Sequence, residues 1–287
     1  MPTVAIIGAG ELGGTIAHTL AVRAQITEIR LIDDLASLAA GKALDIRQSG
    51  PLERSDTQFV ASGDLAMAVG ADVVVIADAA GPHLAEWAGE TGLVRLRHLA
   101  EQDRDTVIVC AGASQRKLMQ QAIRDGIIEG ARLIGSAPIA LASAVRAIVA
   151  LEADCAARDV TLSILGVPPE TTVVTWDSAT VFSAPLTKVL SDQSIARVKA
   201  RMAHLWPPGP YGLASAASNA CEAIANGRSR PVFSCFVGTN NLPAQTVIAS
   251  PVRLGPNGVR EHVAPRLGPS ERVEFESALA RAEGQLG

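Results

Sequence analysis

The sequence predicts an α/β protein: a doubly wound parallel sheet in the first half, followed by an α+β second half. Three observations predict it. Residues 4–7, 28–32, 57–61, 72–77, 106–110 and 132–134 are short runs rich in β-branched and aliphatic side chains, six strand candidates in all. Several are apolar on both faces, as strands covered on both sides of a sheet must be. Helical segments separate them, and strand–helix alternation implies crossover connections and parallel pairing.

The elements follow in order. The segment 13–23 carries Ile16 and Leu20 four apart on one helical face, and the segment 38–48 carries Ala40, Leu44 and Gln48. Six strands is the number in a doubly wound dinucleotide fold. After residue 136 the rhythm changes. A helix rich in Ala and aliphatics is expected over 139–157 and a strand over 160–165. Pro207-Pro208-Gly209-Pro210 reads as a rigid loop. A helix over 214–225, strands over 232–237 and 246–252, and a last helix over 270–285 with Ser270 as its cap complete the reading. At about 150 residues per domain, 287 residues make roughly two domains. The boundary is placed between 1–137 and 138–287, without a flexible linker, so the two parts are expected to pack tightly.

Composition removes whole classes of function. With 25 Lys+Arg against 29 Asp+Glu, the net charge is −4, a poor collector of phosphate backbone, so nucleic acid is not an expected partner. Aromatic residues make up only 3%, which leaves little for base-stacking platforms. Cys110, Cys155, Cys221 and Cys235 form no CxxC pair and no metal-ligand spacing with His, so neither a disulfide framework nor a metal site is expected. The chain opens directly into a strand pattern and holds no stretch long enough to cross a bilayer. A soluble cytoplasmic protein is expected.

Gly8-Ala9-Gly10-Glu11-Leu12-Gly13 fits GxGxxG between a strand and a helix, and Asp33 closes the second strand 20 positions after Gly13. In that pattern Gly8 permits a tight turn, Gly10 lets backbone approach a pyrophosphate, and Gly13 lets helix and strand pack closely. The helix start supplies free N–H groups to phosphates, and the acid accepts from a ribose hydroxyl. Gly8, Gly10, Glu11, Leu12, Gly13 and Asp33, with Ala77 after the fourth strand, form the candidate cofactor-binding set. Asp33 and Asp34 would repel a 2′-phosphate, and no Arg adjoins them in sequence, so NAD is favoured over NADP.

The segment from Gly8 through Gly13-Gly14-Thr15-Ile16-Ala17-His18 resembles the opening of the lactate/malate dehydrogenase superfamily. Gly41-Lys42-Ala43-Leu44-Asp45-Ile46, Ala71-Asp72-Val73-Val74-Val75-Ile76 and Ser250-Pro251-Val252-Arg253-Leu254-Gly255-Pro256-Asn257-Gly258-Val259 are similar to later segments of that family. The resemblance spans nearly the whole chain. It implies a Rossmann domain for NAD, an α+β C-terminal domain of the lactate/malate dehydrogenase kind for substrate, and a homodimer or homotetramer.

Oxidising a 2-hydroxy acid needs a base for the hydroxyl proton, a cation for the carboxylate and a second cation to polarise the carbonyl. The resemblance implies a His–Asp pair and Arg residues for these tasks. Aligned on its motifs, the His position carries Pro168, the Asp position Leu141 and the substrate-Arg position Ala144. The loop after the fourth strand, from Ala77 to Trp87, carries no Arg. The Asn expected after the fifth strand is absent from Cys110-Ala111-Gly112-Ala113-Ser114, and no His lies between His98 and His204.

Ordinary lactate or malate dehydrogenation is therefore not expected, and the active site reads as degenerate. The alternative is an active NAD-dependent oxidoreductase on an unidentified substrate with replaced catalytic groups. His83, Glu86 and Glu170 are the weak substitutes; each also reads as a solvated loop residue. Arg116 and Lys117 sit at the sheet edge where ligands of such folds bind, as an anion site or as a solvated helix start. Trp87, Trp176 and Trp206 fit either a cleft plug or core packing.

Overall fold

A computed structural model describes residues 2–81, 85–227, 230–239 and 246–284. In chain order the elements are β1 (Thr3–Ile7), α1 (Glu11–Arg23), β2 (Glu28–Ile32), α2 (Ala36–Glu53), β3 (Gln58–Ser62), β4 (Val73–Ile76), α3 (Gly89–Gln102), β5 (Val107–Cys110), α4 (Arg116–Arg124), β6 (Leu133–Gly135) and α5 (Ala137–Ala153). The second half continues with β7 (Val160–Thr161), β8 (Ile164–Val167), β9 (Thr171–Val174), β10 (Thr180–Val181), β11 (Ala184–Pro185), α6 (Leu186–Val189), α7 (Asp192–Met202), α8 (Pro210–Ala225), β12 (Phe233–Gly238), β13 (Val247–Gly255), β14 (Gly258–His262) and α9 (Pro269–Gly284).

The parallel part of the main sheet runs β3-β2-β1-β4-β5-β6, the doubly wound dinucleotide order. Ile7 pairs with Ile32 on one side and Ile76 on the other, so β1, β2 and β4 end level and their following loops converge. All residues of β4 and β5 are buried, which explains their uninterrupted Val/Ile runs. The sheet does not stop at β6. Phe236 of β12 pairs antiparallel with Gly135, and β13, β8 and β9 extend the sheet. A Cβ at Gly135 would lie 2.8 Å from the Phe236 Cβ, so glycine lets the two halves join. Phe236 heads the fully buried side chains.

Helices cover both faces. Along α8, Ala214, Ala217 and Ala220 are fully buried, and these small residues allow close packing against α1. Arg23 at the end of α1 donates to Asn219 Oδ1 at 2.6 Å and pairs with Glu222. Pro210 is the first residue of α8, where its missing N–H costs nothing. The expected loop at 207–210 therefore ends one residue early. The single strand expected over 160–165 is two: Ser163 turns its N–H to Thr175 Oγ1 at 3.0 Å, and β7 joins β10 in a small second sheet while β8 joins the main one. Helix α7, capped where Ser191 Oγ accepts from Ser194 N, was not foreseen.

Candidate functional site

The glycine loop lies where β1 meets α1. Gly8 adopts φ 109 and donates to Ile32 O at 2.7 Å, which ties the loop to the end of β2. A Cβ at Gly13 would fall 1.9 Å from Gly8 O, so α1 packs on its own loop in a way only glycine permits. Glu11 is exposed on the first turn, and Leu12 is buried.

Asp33 is where the motif places it, at the end of β2, but it is 3% exposed and fully engaged. Its Oδ2 accepts from Ala9 N and Ala80 N, each at 2.8 Å, and Oδ1 accepts from Leu35 N at 2.9 Å. The carboxylate is thus the pin between the glycine loop, the loop after β2 and the loop after β4. The neighbouring Asp34 pairs with Arg95 Nη2 of α3 at 2.5 Å, and the guanidinium carbon lies 3.8 Å from the centre of the Trp87 ring. No Arg adjoins these acids in sequence, but one reaches them in space: Arg95 meets Asp34 from 61 residues away.

Ala77 is fully buried, and Asp78 follows it with 5% exposure. Asp78 Oδ2 accepts from Leu12 N at 3.0 Å and Oδ1 from Gly13 N at 2.8 Å. Burial raises its pKa above the ordinary value of 3.8, opposed by those two N–H bonds and by the charge of Lys42. Lys42 Nζ donates to Gly10 O, a close contact over the same loop. Sequence reasoning gave Asp78 no role, although an acid inside the most apolar stretch of the chain was a visible signal.

Glu86 works as a second carboxylate clamp. It accepts from Ala113 N and Ser114 N, each at 2.8 Å, and from Ser114 Oγ. It is neither a solvated loop residue nor a free acid, which corrects that expectation. Gln115 completes the stitch between the loops after β4 and β5. Fully buried, it accepts from Gly112 N at 2.9 Å and donates to Ala77 O at 3.1 Å and Trp87 O at 3.0 Å. Burial, with the Glu86 charge adding, pushes the Cys110 thiol up to about 12, consistent with a packing role. His83 lies outside the described residues.

The three residues that the resemblance sets at catalytic positions, Leu141, Ala144 and Pro168, are apolar; Leu141 and Pro168 are buried and Ala144 is half-buried. Leu141 is 2% exposed on α5, in the core, and Ala144 follows one turn on. Pro168 is buried at the end of β8 in a cis peptide to Pro169, and Glu170 is exposed in the turn to β9. Arg116 is partly buried at the start of α4, with a long 3.4 Å contact from Nη1 to Val247 O; burial lowers its pKa and the charge of Glu170 opposes that. Lys117 is exposed. Among the described residues every histidine (His18, His98, His204 and His262) is exposed. A cavity of about 320 Å³ touches Leu141 and is walled by Trp176, Trp206, Met202 and Lys199. Trp87 instead sits under Arg95 in the cleft loop. No group of three or more His, Cys, Asp or Glu among the described residues could hold a metal ion. No helix there is long and apolar enough to cross a membrane.

No protein-family model matches the chain. A malate dehydrogenase of Thermomicrobium roseum is 29% identical, over 94% of this chain and 92% of that one. The solved malate dehydrogenase from Salinibacter ruber superposes with a TM-score of 0.85 at 24% identity, over 99% and 96% of the two chains. The chain is similar to malate dehydrogenases along nearly its whole length. Its α/β fold is that of the lactate/malate dehydrogenase superfamily. Another superfamily structure, the lactate dehydrogenase from Cryptosporidium parvum, solved with lactic acid and nicotinamide adenine dinucleotide, superposes with a TM-score of 0.84 at 20% identity, over 99% and 96%.

Proposed function

We propose that this chain keeps the superfamily fold, divided as 1–137 and 138–287, but does not carry out ordinary lactate or malate dehydrogenation. One sequence feature carries the reading: the resemblance sets Pro168, Leu141 and Ala144 at the three catalytic positions, and the first two are buried. A proline, a leucine and an alanine supply no base for a hydroxyl proton and no cation for a carboxylate. The described histidines, all exposed, adjoin none of these three positions in sequence. The test is NADH formation by the purified protein with L-lactate or L-malate and NAD. Background rates are expected; turnover in the ordinary enzymatic range of about 1–1,000 per second refutes the proposal.

A second reading, an NAD-dependent oxidoreductase on an unidentified substrate, is supported by Arg116, a partly buried cation at the sheet edge near Glu170. It predicts NAD reduction by some hydroxy or amino compound, lost in Arg116→Ala. The quaternary proposal is a homodimer or homotetramer, and the proposed location is the cytoplasm.

The nucleotide proposed for this fold is NAD rather than NADP: Asp33 and Asp34 stand at the end of β2, and Arg95, the arginine that reaches them, is already paired with Asp34. The N–H groups that a helix start offers to phosphates are, however, taken by Asp78. The residues present do not fit a pyrophosphate while that carboxylate stays.

A further inference from the structure

Leu12 and Gly13 are the second and third residues of α1, so their N–H groups have no acceptor within the helix and carry its positive end. Both point at Asp78. A Cβ at Gly10 would fall 2.3 Å from Asp78 Oδ2, so the carboxylate fills the space that this glycine leaves open. Such a loop reserves that space, and those donors, for a phosphate. The acid is held there by its own backbone as well: Gly10 N donates to Asp78 O at 3.1 Å, and Ala77 N continues the β1–β4 ladder to Ile7 O at 3.0 Å.

The rest of the same stretch closes the cleft on either side. Toward β2, Leu35 Cδ1 would lie 3.4 Å from a Cβ at Gly81, and the Arg95–Asp34 pair spans from α3 to the loop after β2. Toward β5, Glu86 takes the free N–H groups ahead of α4. Asp78 and Glu86 are both acidic acceptors placed on backbone donors.

We propose that Asp78 is the resident anion of the phosphate cradle, an internal substitute for a nucleotide phosphate that sets the affinity of the cleft. A diphosphate ester and an ionised carboxylate are both acceptor-only and compete for the same two N–H groups. The cleft takes such a ligand only in the fraction of molecules whose Asp78 has left Leu12 and Gly13, and the observed affinity falls by that fraction. The ligand class is a nucleoside diphosphate ester, and the inference rests on reading the cleft as a dinucleotide site.

The test is calorimetric titration of ADP-ribose into the full chain and into Asp78→Ala and Asp78→Asn, with thermal melting to establish that each variant folds. Asp78→Ala is expected to bind about tenfold or more tightly than the native chain, and Asp78→Asn between them. Equal, measurable binding by the native chain and Asp78→Ala overturns the role of Asp78 and leaves the nucleotide reading standing. No binding by any folded form overturns the nucleotide reading itself, and the inference with it. Amide hydrogen exchange on the native, nucleotide-free chain needs no variant. Leu12 and Gly13 are expected to be protected; exchange as fast as at an uncapped helix start overturns the inference.

Discussion

Replacing Asp33 separates a structural pin from a ligand-binding acid. The carboxylate is 3% exposed and satisfies three backbone donors, Ala9 N, Ala80 N and Leu35 N, at 2.8–2.9 Å. Each buried donor left unpaired costs about 1–3 kcal/mol. Asp33→Ala strands all three, and partial access of water to the vacated space brings the expected loss to about 3–6 kcal/mol, a large share of a typical domain's stability. Asp33→Asn keeps the shape and one oxygen. Turned so that this oxygen serves Ala9 and Ala80, its amide group faces the Leu35 N–H, and the expected loss is about 1–3 kcal/mol. The assay is equilibrium urea unfolding without nucleotide, with the slope compared across variants to confirm that the same surface is exposed. If Asp33→Ala unfolds within about 0.5 kcal/mol of the native chain, as an ordinary surface change does, Asp33 is not a pin and the geometry described here is wrong.

Other outcomes follow from the same structure. Asp78 has a folded pKa raised above 3.8, so its protonated form is favoured by folding. The stability it contributes is full below 3.8 and is lost as pH rises through the folded value. Urea unfolding of Asp78→Asn against the native chain should therefore shift in favour of the variant across that interval; a pH-independent difference contradicts the burial argument. Gly13→Ala would place a methyl 1.9 Å from Gly8 O and should leave little soluble protein; normal expression and melting contradict the close loop packing. Iodoacetamide under native conditions should label Cys155 before Cys110, Cys221 and Cys235, whose thiols are fully buried and raised in pKa. Early labelling of Cys110, read by peptide mass, contradicts its place in the core.

The first half of the fold was legible because its rules are local. Buried parallel strands write themselves as Val/Ile runs, as in Val73–Ile76, and GxGxxG with Asp33 is a short-range pattern. The break at Ser163 was not, since it depends on Thr175 across a later strand. The site was legible by position and illegible by partner. Asp33 stands at the expected place, yet its carboxylate is spent on Ala80, 47 residues on. Asp78 interrupts an apolar run for a reason that lies 65 residues earlier, at Gly13. Glu86 looks like a solvated loop acid until the loop after β5 is folded against it. Propensity and motif describe neighbours in sequence; which donor a carboxylate meets is decided by strands ending level in space.

What occupies the start of α1 is decisive. A crystal structure of the native chain without nucleotide, at neutral pH, shows this directly. Asp78 oxygens are expected about 3 Å from the Leu12 and Gly13 nitrogens, as hydrogen-bond geometry requires. Asp78 turned away from those two nitrogens in the nucleotide-free chain would contradict its role as the resident anion.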